Sequence, residues 1–514
     1  MKKSILFLLT MCASIPYLVM GQEPSVLWMN GYGGNSAVAP HVSTQRDGGF
    51  IVAIGATSNI GIDSLCTISS DIVVFFKYNS DASVLEWTKC YRNNFSDSGF
   101  IYMFSTPSGG NVLGAMSMGS ATHRFLIHKE DAAGTILWSK SYGDGAEALL
   151  DAMIATSDGG YVMTGRVYYT DTNFTVHYGS WMDEDIAVIK VDSNGNKVWS
   201  KVIGGSSPDI VGSVVNAPDD GCYLIGTTVS TDHDFASNHG GNDGFLVRLD
   251  TIGNIIWTDC IGGTEGDGLN CGFADGKGGV ILAGTSNSLD GDRTHFPSYG
   301  CPVWVLEVDS NKNVLWNNCY GGGGGDCYDN SICKAVDGSI WVACLSTTKG
   351  GQVDTQYGRD DAWFLHIDSV GDFLNSKVLG SHMDDVGMMV YPLSNGDVIA
   401  GGFYGVNDGS FNSMHFASAN AFLTVFAPSD DRTIVPEINL DEHNIHCSPN
   451  PATTSLTITS SDKINSVTIS NLIEQAVYSN YYHSEEVQVD VSRLPVGMYI
   501  VRINGIEVRK FIKQ

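Results

Sequence analysis

The sequence predicts an all-β chain: a seven-bladed β-propeller of four-stranded blades, whose N- and C-terminal strands close one blade between them, followed by a small immunoglobulin-like β-sandwich. Three observations carry this prediction. A tryptophan-bearing phrase recurs at near-constant spacing, short alternating strands are separated throughout by glycine turns, and the texture of the chain changes after Phe426. The phrase reads "VDSNGNKVWSKVIGG" at 191–205, "LDTIGNIIWTDCIGG" at 249–263 and "VDSNKNVLWNNCYGG" at 308–322. Its landmarks are Trp28, Trp87, Trp138, Trp199, Trp257 and Trp316, with Asn375 standing in their place in "GDFLNSKVLGS". Successive spacings are 59, 51, 61, 58, 59 and 59 residues, which makes seven units. Periods of this size mark modules that cannot bury their own faces and must stack on neighbours.

Within a unit the elements follow one order. After the landmark comes a glycine pair, as at Gly204-Gly205 and Gly262-Gly263. A short segment then leads to a second turn, "DGG" at 47–49 and 158–160. An apolar strand follows, "YVMTG" at 161–165 or "VILAG" at 280–284, then a long polar loop, then an alternating strand such as "DIAVIKVD" at 185–192 or "DAWFLHID" at 361–368. A turn of the type "SNGN" returns the chain to the tryptophan strand. Four short strands joined by turn chemistry form the pattern of a propeller blade. The tryptophans are expected to wedge between blades, and the turn glycines to supply positive φ.

Closure is legible at the ends. "SVLWMNGYGG" at 25–34 is a tryptophan strand without predecessors, and "AFLTVF" at 421–426 is an alternating strand without a successor. Together they complete one blade, so deletion of residues 22–34 is expected to destabilise the ring. The long loops and the glycine-pair loops should emerge on one face, where rigid scaffolds commonly carry binding sites. Examples are "VSTDHDFASNHGGND" at 229–243 and "SNSLDGDRTHFPSYG" at 286–300.

Residues 1–21 read as a signal peptide: "MKK", an apolar run, and Gly21 at the cleavage point. No later stretch is apolar for long enough to span a bilayer. The formal charge of −28 disfavours nucleic acid and anionic lipid as partners. Eleven cysteines remain after the leader. Cys90, Cys260 and Cys319 each lie three residues beyond a landmark tryptophan, a position that suits a small buried residue at least as well as a disulfide.

The propeller is assigned to residues 22–430 and a polar, proline-containing linker to 431–441. From 442 to 514 the repeat is gone, and short strands such as "SLTITS", "VQVDV" and "MYIVRI" suggest a small antiparallel sandwich. This segment resembles the type A C-terminal sorting domain of type IX secretion, found in exported proteins of Bacteroidetes-type bacteria. The resemblance rests on "SPNP" at 448–451, "VDVSRLPVGMYIVRI" at 489–503 and "KFIK" at 510–513, within which Pro449, Asn450, Pro451, Leu494, Pro495, Gly497, Tyr499 and Lys510 form the motif. One departure is "SNLIEQAVYS" at 470–479, where such domains often carry a glycine after the leucine. The resemblance implies recognition by the type IX machinery, passage across the outer membrane, and a mature protein at the cell surface or released. The repeat region is similar to the propellers often joined to such domains, which carry no catalytic motif.

Catalytic signatures are missing. There is no HExxH, no GxSxG elbow, no phosphate loop and no CxxC pair. No catalytic, cofactor-binding or metal-ligating residue is assigned. "DSNGN" at 192–196 offers oxygens at alternate positions but lacks the rest of a calcium loop. The acidic loop residues Asp232, Asp234, Asp243, Asp290 and Asp292 are better calcium candidates, weighed against a simple solvated surface. His177, His233, His239, His295 and His415 all fall in long loops. The expected role is binding of an extracellular glycan or protein through the long-loop face. A glycan-active hydrolase or lyase on the same scaffold is the alternative.

Overall fold

A computed structural model describes residues 23–32, 41–44, 49–56, 72–82, 84–92, 102–106, 108–118, 123–132, 134–180, 183–292, 301–321, 331–412, 420–427, 446–448, 452–470, 476–495, 497–503 and 507–513. The signal peptide, the 431–441 linker and Pro449, Asn450 and Pro451 lie outside the described residues. The chain forms two compact units, Met1–Ser429 and Asp430–Gln514.

The described part of the first unit is all-β apart from two short 3-10 turns, His233–Phe235 and Gly409–Phe411. Its strands pair antiparallel in four-stranded sheets, six of which follow chain order from first strand to fourth. Sheet 1 runs from His41–Thr44 to Leu85–Arg92, sheet 2 from Tyr102–Ser105 to Ile136–Tyr142, and sheet 3 from Ala148–Ala155 to Lys197–Ile203. Sheet 4 runs from Asp209–Asn216 to Ile255–Ile261, sheet 5 from Asp267–Ala274 to Val314–Tyr320, and sheet 6 from Ser331–Lys334 to Phe373–Leu379. Sheet 7 takes Val386–Pro392, Val398–Tyr404 and Asn420–Ala427 from one end of the unit and Ser25–Tyr32 from the other. In that last pairing Met29 lies opposite Thr424 and Tyr32 opposite Ala421.

First strands of successive sheets lie against one another, as Ala148–Ala155 does against Asp209–Asn216 and Asp209–Asn216 against Asp267–Ala274. The architecture is therefore propeller-like, with first strands innermost. Period-2 alternation gives each sheet two apolar faces, and a lone sheet could shield neither. Each interior cluster accordingly draws on two sheets. Val162, Ile186 and Val188 of sheet 3 meet Val211, Leu224 and Phe245 of sheet 4. Another cluster unites Phe50, Val74 and Phe76 of sheet 1 with Met389, Ile399 and Leu423 of sheet 7.

The landmark tryptophans sit on the outermost strands. Trp87, Trp138, Trp199, Trp257 and Trp316 are half-buried and pack at the margins of these clusters. Trp28 lies on the strand that closes sheet 7; its side chain is outside the described residues. The largest fully buried wedges are tryptophans that sequence reasoning passed over: Trp304, Trp341 and Trp363. Trp304 and Trp363 share one third-strand position, 59 residues apart, that Ala187 and Phe245 take in other sheets, and Trp341 lies on a second strand where Val162 and Tyr223 stand elsewhere, so the recurrence is only partial. Each landmark is preceded by a β-bulge that leaves Leu27, Glu86, Leu137, Val198, Ile256, Leu315 and Leu374 out of register. Bulges at outer edges twist the strand and blunt edge-to-edge pairing.

The expectation that all turn glycines supply positive φ needs correction. Gly195 (φ 73°) and Gly253 (φ 83°) do so, but the glycine pairs at 204–205 and 262–263 are absent from the positive-φ residues. Their reason is space. A Cβ on Gly204 would lie 2.0 Å from Asp185 Oδ1, and one on Gly263 would lie 2.5 Å from Asp290 Oδ1.

The second unit is an antiparallel five-stranded sheet built on the long hairpin of Ser455–Ser470 and Ala476–Asp490. Its core comprises Leu456, Ile458, Val467, Val487, Val489, Tyr499 and Val501 among others.

Candidate ligand-binding face

At the junction between sheets 3 and 4 the loop 204–207 presents four consecutive backbone N–H groups, and a side chain receives each. Gly204 N donates to Asp234 Oδ2 (3.1 Å), Gly205 N to Asp209 Oδ2 (2.7 Å), Ser206 N to Asp232 Oδ1 (2.8 Å) and Ser207 N to Ser230 Oγ (3.0 Å). The next junction repeats the arrangement. Gly262 N, Gly263 N, Thr264 N and Glu265 N donate to Asp292 (3.0 Å), Asp267 (2.6 Å), Asp290 (2.9 Å) and Ser288 (2.9 Å). Between sheets 6 and 7 the acceptors are Ser410, Asp385 and Asp408, for Gly380, Ser381 and His382.

The signal for this clamp was present in the sequence as S-x-D-x-D, "STDHD" at 230–234 and "SLDGD" at 288–292. Its meaning was missed because a polar loop reads the same whether its carboxylates face solvent or backbone. Asp232, Asp234, Asp290 and Asp292, singled out as calcium candidates, spend oxygens on N–H donors. Charge-assisted bonds of this kind are among the stronger ones available, so the long loop of one sheet is tied to the chain entering it. The face is rigid.

Beneath each clamp lies a carboxylate from the preceding sheet. Asp185, Asp243 and Asp361 open the third strands of sheets 3, 4 and 6 and are fully buried. Each accepts a backbone N–H from its own loop: Tyr178 N on Asp185 (2.6 Å), His239 N on Asp243 (2.8 Å) and Tyr357 N on Asp361 (2.7 Å). Asp209, Asp267 and Asp385 face them from the next sheet. Burial pushes the Asp185 carboxyl up to about 7 and those of Asp209 and Asp385 up to about 6. Burial also raises Asp243 and Asp361.

Above the clamps sit rings. Tyr178 lies 4.7 Å from the His233 ring of the next sheet's loop. Tyr169, on the loop of Tyr178, and Tyr357, on the corresponding loop of sheet 6, are 46% and 45% exposed, with Val176, Val229 and Leu289 also open to solvent. His177 turns inward, its Nε2 2.9 Å from the Asp183 carbonyl. His295 and His415 lie outside the described residues. No group of three or more His, Cys, Asp or Glu side chains is arranged to hold a metal ion among the described residues.

A separate polar network lies near the innermost strand of sheet 3. Arg166 grips Asp151 with two N–H groups (2.9 and 3.0 Å) and reaches Glu184 (3.3 Å), which also accepts the Tyr168 hydroxyl. Burial raises the Asp151 carboxyl, with Arg166 opposing it.

In the second unit the sorting-motif residues gather around the final hairpin. Tyr499 is buried and its hydroxyl donates to the Pro495 carbonyl (2.9 Å). Leu494 packs at the edge of the core. Gly497 pairs with Lys513 and Ile500 with Lys510. Ala452 bridges to Lys513. A Cys301–Cys319 disulfide crosses sheet 5, whereas Cys260, at the position equivalent to Cys319, is a buried thiol.

Residues 447–514 match the model of the secretion system C-terminal sorting domain. No curated protein matches the chain. Among solved structures, it is similar to a protein of unknown function from Dyadobacter fermentans, at 12% identity over 65% of this chain and 96% of that one with a TM-score of 0.40. It is also similar to puromycin hydrolase, at 11% identity over 71% and 50% with a TM-score of 0.43. PorZ, a surface component of the type IX secretion system of Porphyromonas gingivalis, aligns at 12% identity over 92% and 70% with a TM-score of 0.25. Likenesses this remote say nothing about activity.

Proposed function

We propose, from the premise that residues 447–514 are a type IX secretion C-terminal sorting domain, that this chain delivers a non-catalytic, seven-bladed propeller to the outside of the cell to bind an extracellular glycan or protein through its long-loop face. The sorting domain marks proteins secreted across the outer membrane to the cell surface or extracellular space. Through it the chain engages the secretion machinery. Support for seven blades comes from the four-stranded sheets and from the cluster joining sheet 1 to sheet 7. In the second unit, Ser455–Ser470 pairs with His446–Ser448 through its first half and with Gly497–Ile503 through its second, on either side of a register break between Thr459 and Ile464, which supports an immunoglobulin-like sandwich.

One observation carries the binding reading: surface rings, half-buried Tyr178 against exposed His233, and exposed Tyr357, are held by carboxylates, Asp185 accepting the Tyr178 N–H, Asp361 the Tyr357 N–H, and Asp232 and Asp234 tying down the loop of His233. Flat rings on a rigid surface suit the apolar faces of sugars or an apolar peptide segment, and a fixed surface saves the ordering cost of binding. The test is a glycan array and surface-protein pull-down with wild type and a Tyr178→Ala/Tyr357→Ala variant. Binding lost at least tenfold in the variant, with Tm unchanged, supports the reading; equal binding removes it.

A glycan-active enzyme is the second reading, favoured by Asp151, whose carboxyl is raised by burial beside Arg166 and Glu184. New reducing ends released from a polysaccharide by wild type, and not by Asp151→Asn, would establish it.

A further inference from the structure

Two of the inter-sheet junctions carry more negative charge than their surroundings answer. Asp185 and Asp243 are fully buried, and in each the Oδ1 atom has no hydrogen-bond partner. Both unpartnered oxygens lie beside a glycine that the carboxylate of the next sheet also approaches. Asp243 Oδ1 and Asp267 Oδ2 each lie 2.6 Å from the point where a Cβ on Gly262 would sit; Asp185 Oδ1 and Asp209 Oδ2 lie 2.0 and 3.0 Å from the same point on Gly204. No lysine or arginine pairs with any of these four carboxylates among the described residues; His177 (3.7 Å) and His239 (2.8 Å) are their only ion-pair partners. Two buried carboxylates with a free oxygen between them cannot stay charged and unanswered.

The third junction provides contrast. There Asp361 Oδ1 accepts the Gly358 N–H (3.1 Å), so no free oxygen faces Asp385. Two carboxylate oxygens gathered beside one glycine suit a hard cation that takes oxygen ligands in an irregular shell. The ion would sit outward of the glycine, and one divalent charge would answer both carboxylates. We propose that the Asp185–Asp209 and Asp243–Asp267 junctions each bind one calcium ion, pinning sheet 3 to sheet 4 and sheet 4 to sheet 5. The reading rests on these junctions alone and is independent of the ligand on the loop face.

Calorimetric titration of the chelator-treated full chain with calcium tests it, alongside Tm. The expected result is that Asp185→Asn and Asp243→Asn each bind one equivalent fewer than wild type, whereas Asp361→Asn binds as many as wild type. Calcium at a hundredfold excess over Kd should raise the wild-type Tm by about 5 °C or more. Asp209→Asn and Asp267→Asn approach the same sites from the neighbouring sheets and decide the matter if a first variant does not fold. No calcium uptake by wild type, or uptake unchanged in all four junction variants, would overturn the proposal.

Discussion

At the scale of single residues, the repeated phrase turns out to be two halves of one contact. The tryptophan of one sheet lies against the turn glycine of the next: a Cβ on Gly195 would fall 2.6 Å from the Trp138 ring, on Gly253 2.7 Å from Trp199, and on Gly371 2.7 Å from Trp316. The Trp199 indole N–H donates to the Thr251 carbonyl in that same turn (3.0 Å). Since Gly253 also has φ 83°, Gly253→Ala meets both a strained backbone and a ring. We expect it to cost about 2 kcal/mol or more in chemical denaturation. Lys312 occupies the equivalent turn position with φ 71°, and Lys312→Gly should gain up to about 1 kcal/mol, less whatever its ion pair with Asp259 contributes. The buried aspartates give a pH dependence of definite sign. The Asp185 carboxyl, raised by burial to about 7, keeps its proton in the folded state where the unfolded chain has lost it. The unfolded chain therefore binds fewer protons, and without calcium stability falls as pH rises from about 4 to 7. Asp185→Asn should flatten that fall, measured as Tm against pH in chelator.

At the scale of elements, the sequence showed strands and turns plainly because period-2 patterning and glycine placement are local. "YVMTG" and "DIAVIKVD" fall in the strands Tyr161–Val167 and Asp185–Val191. What it did not show was partnership. Asp290 reads as one more polar loop residue, yet its carboxylate accepts Thr264 N–H across a sequence distance that no local pattern spans. The clamp is the element that decides loop order. Asp290→Ala leaves the Thr264 amide without its acceptor and should cost about 1–2 kcal/mol. Amide exchange at 262–266 should accelerate while exchange in the third strands of sheets 4 and 5 stays slow; uniform acceleration would mean that the clamp supports the whole fold. The three buried tryptophans mark the other limit of sequence reading. Trp304 and Trp363 lie one repeat of 59 residues apart, but Ala187 and Phe245 hold the same position in other sheets, so packing shows more than the faint recurrence does, and Trp341→Ala should cost about 3–5 kcal/mol.

At the scale of the molecule, a repeated scaffold frees one face for variation. The address at the C-terminus was readable because Tyr499, Pro495 and Lys510 belong to a linear motif, whereas loops from several sheets that meet on one face carry no such linear signature. The whole arrangement depends on closure. The N-terminal strand Ser25–Tyr32 pairs along its length with Asn420–Ala427, and the neighbouring sheet adds a Lys377–Glu23 ion pair at 2.6 Å. An open stack would leave the apolar faces of sheets 1 and 7, including Phe50, Phe76, Ile399 and Leu423, uncovered. Thermal unfolding of the chain lacking residues 22–34, with and without a peptide of that sequence added in trans, tests closure most directly. The account predicts a fall in Tm of about 10 °C or more, recovered in part by the peptide; an unchanged Tm with no response to the peptide would contradict it.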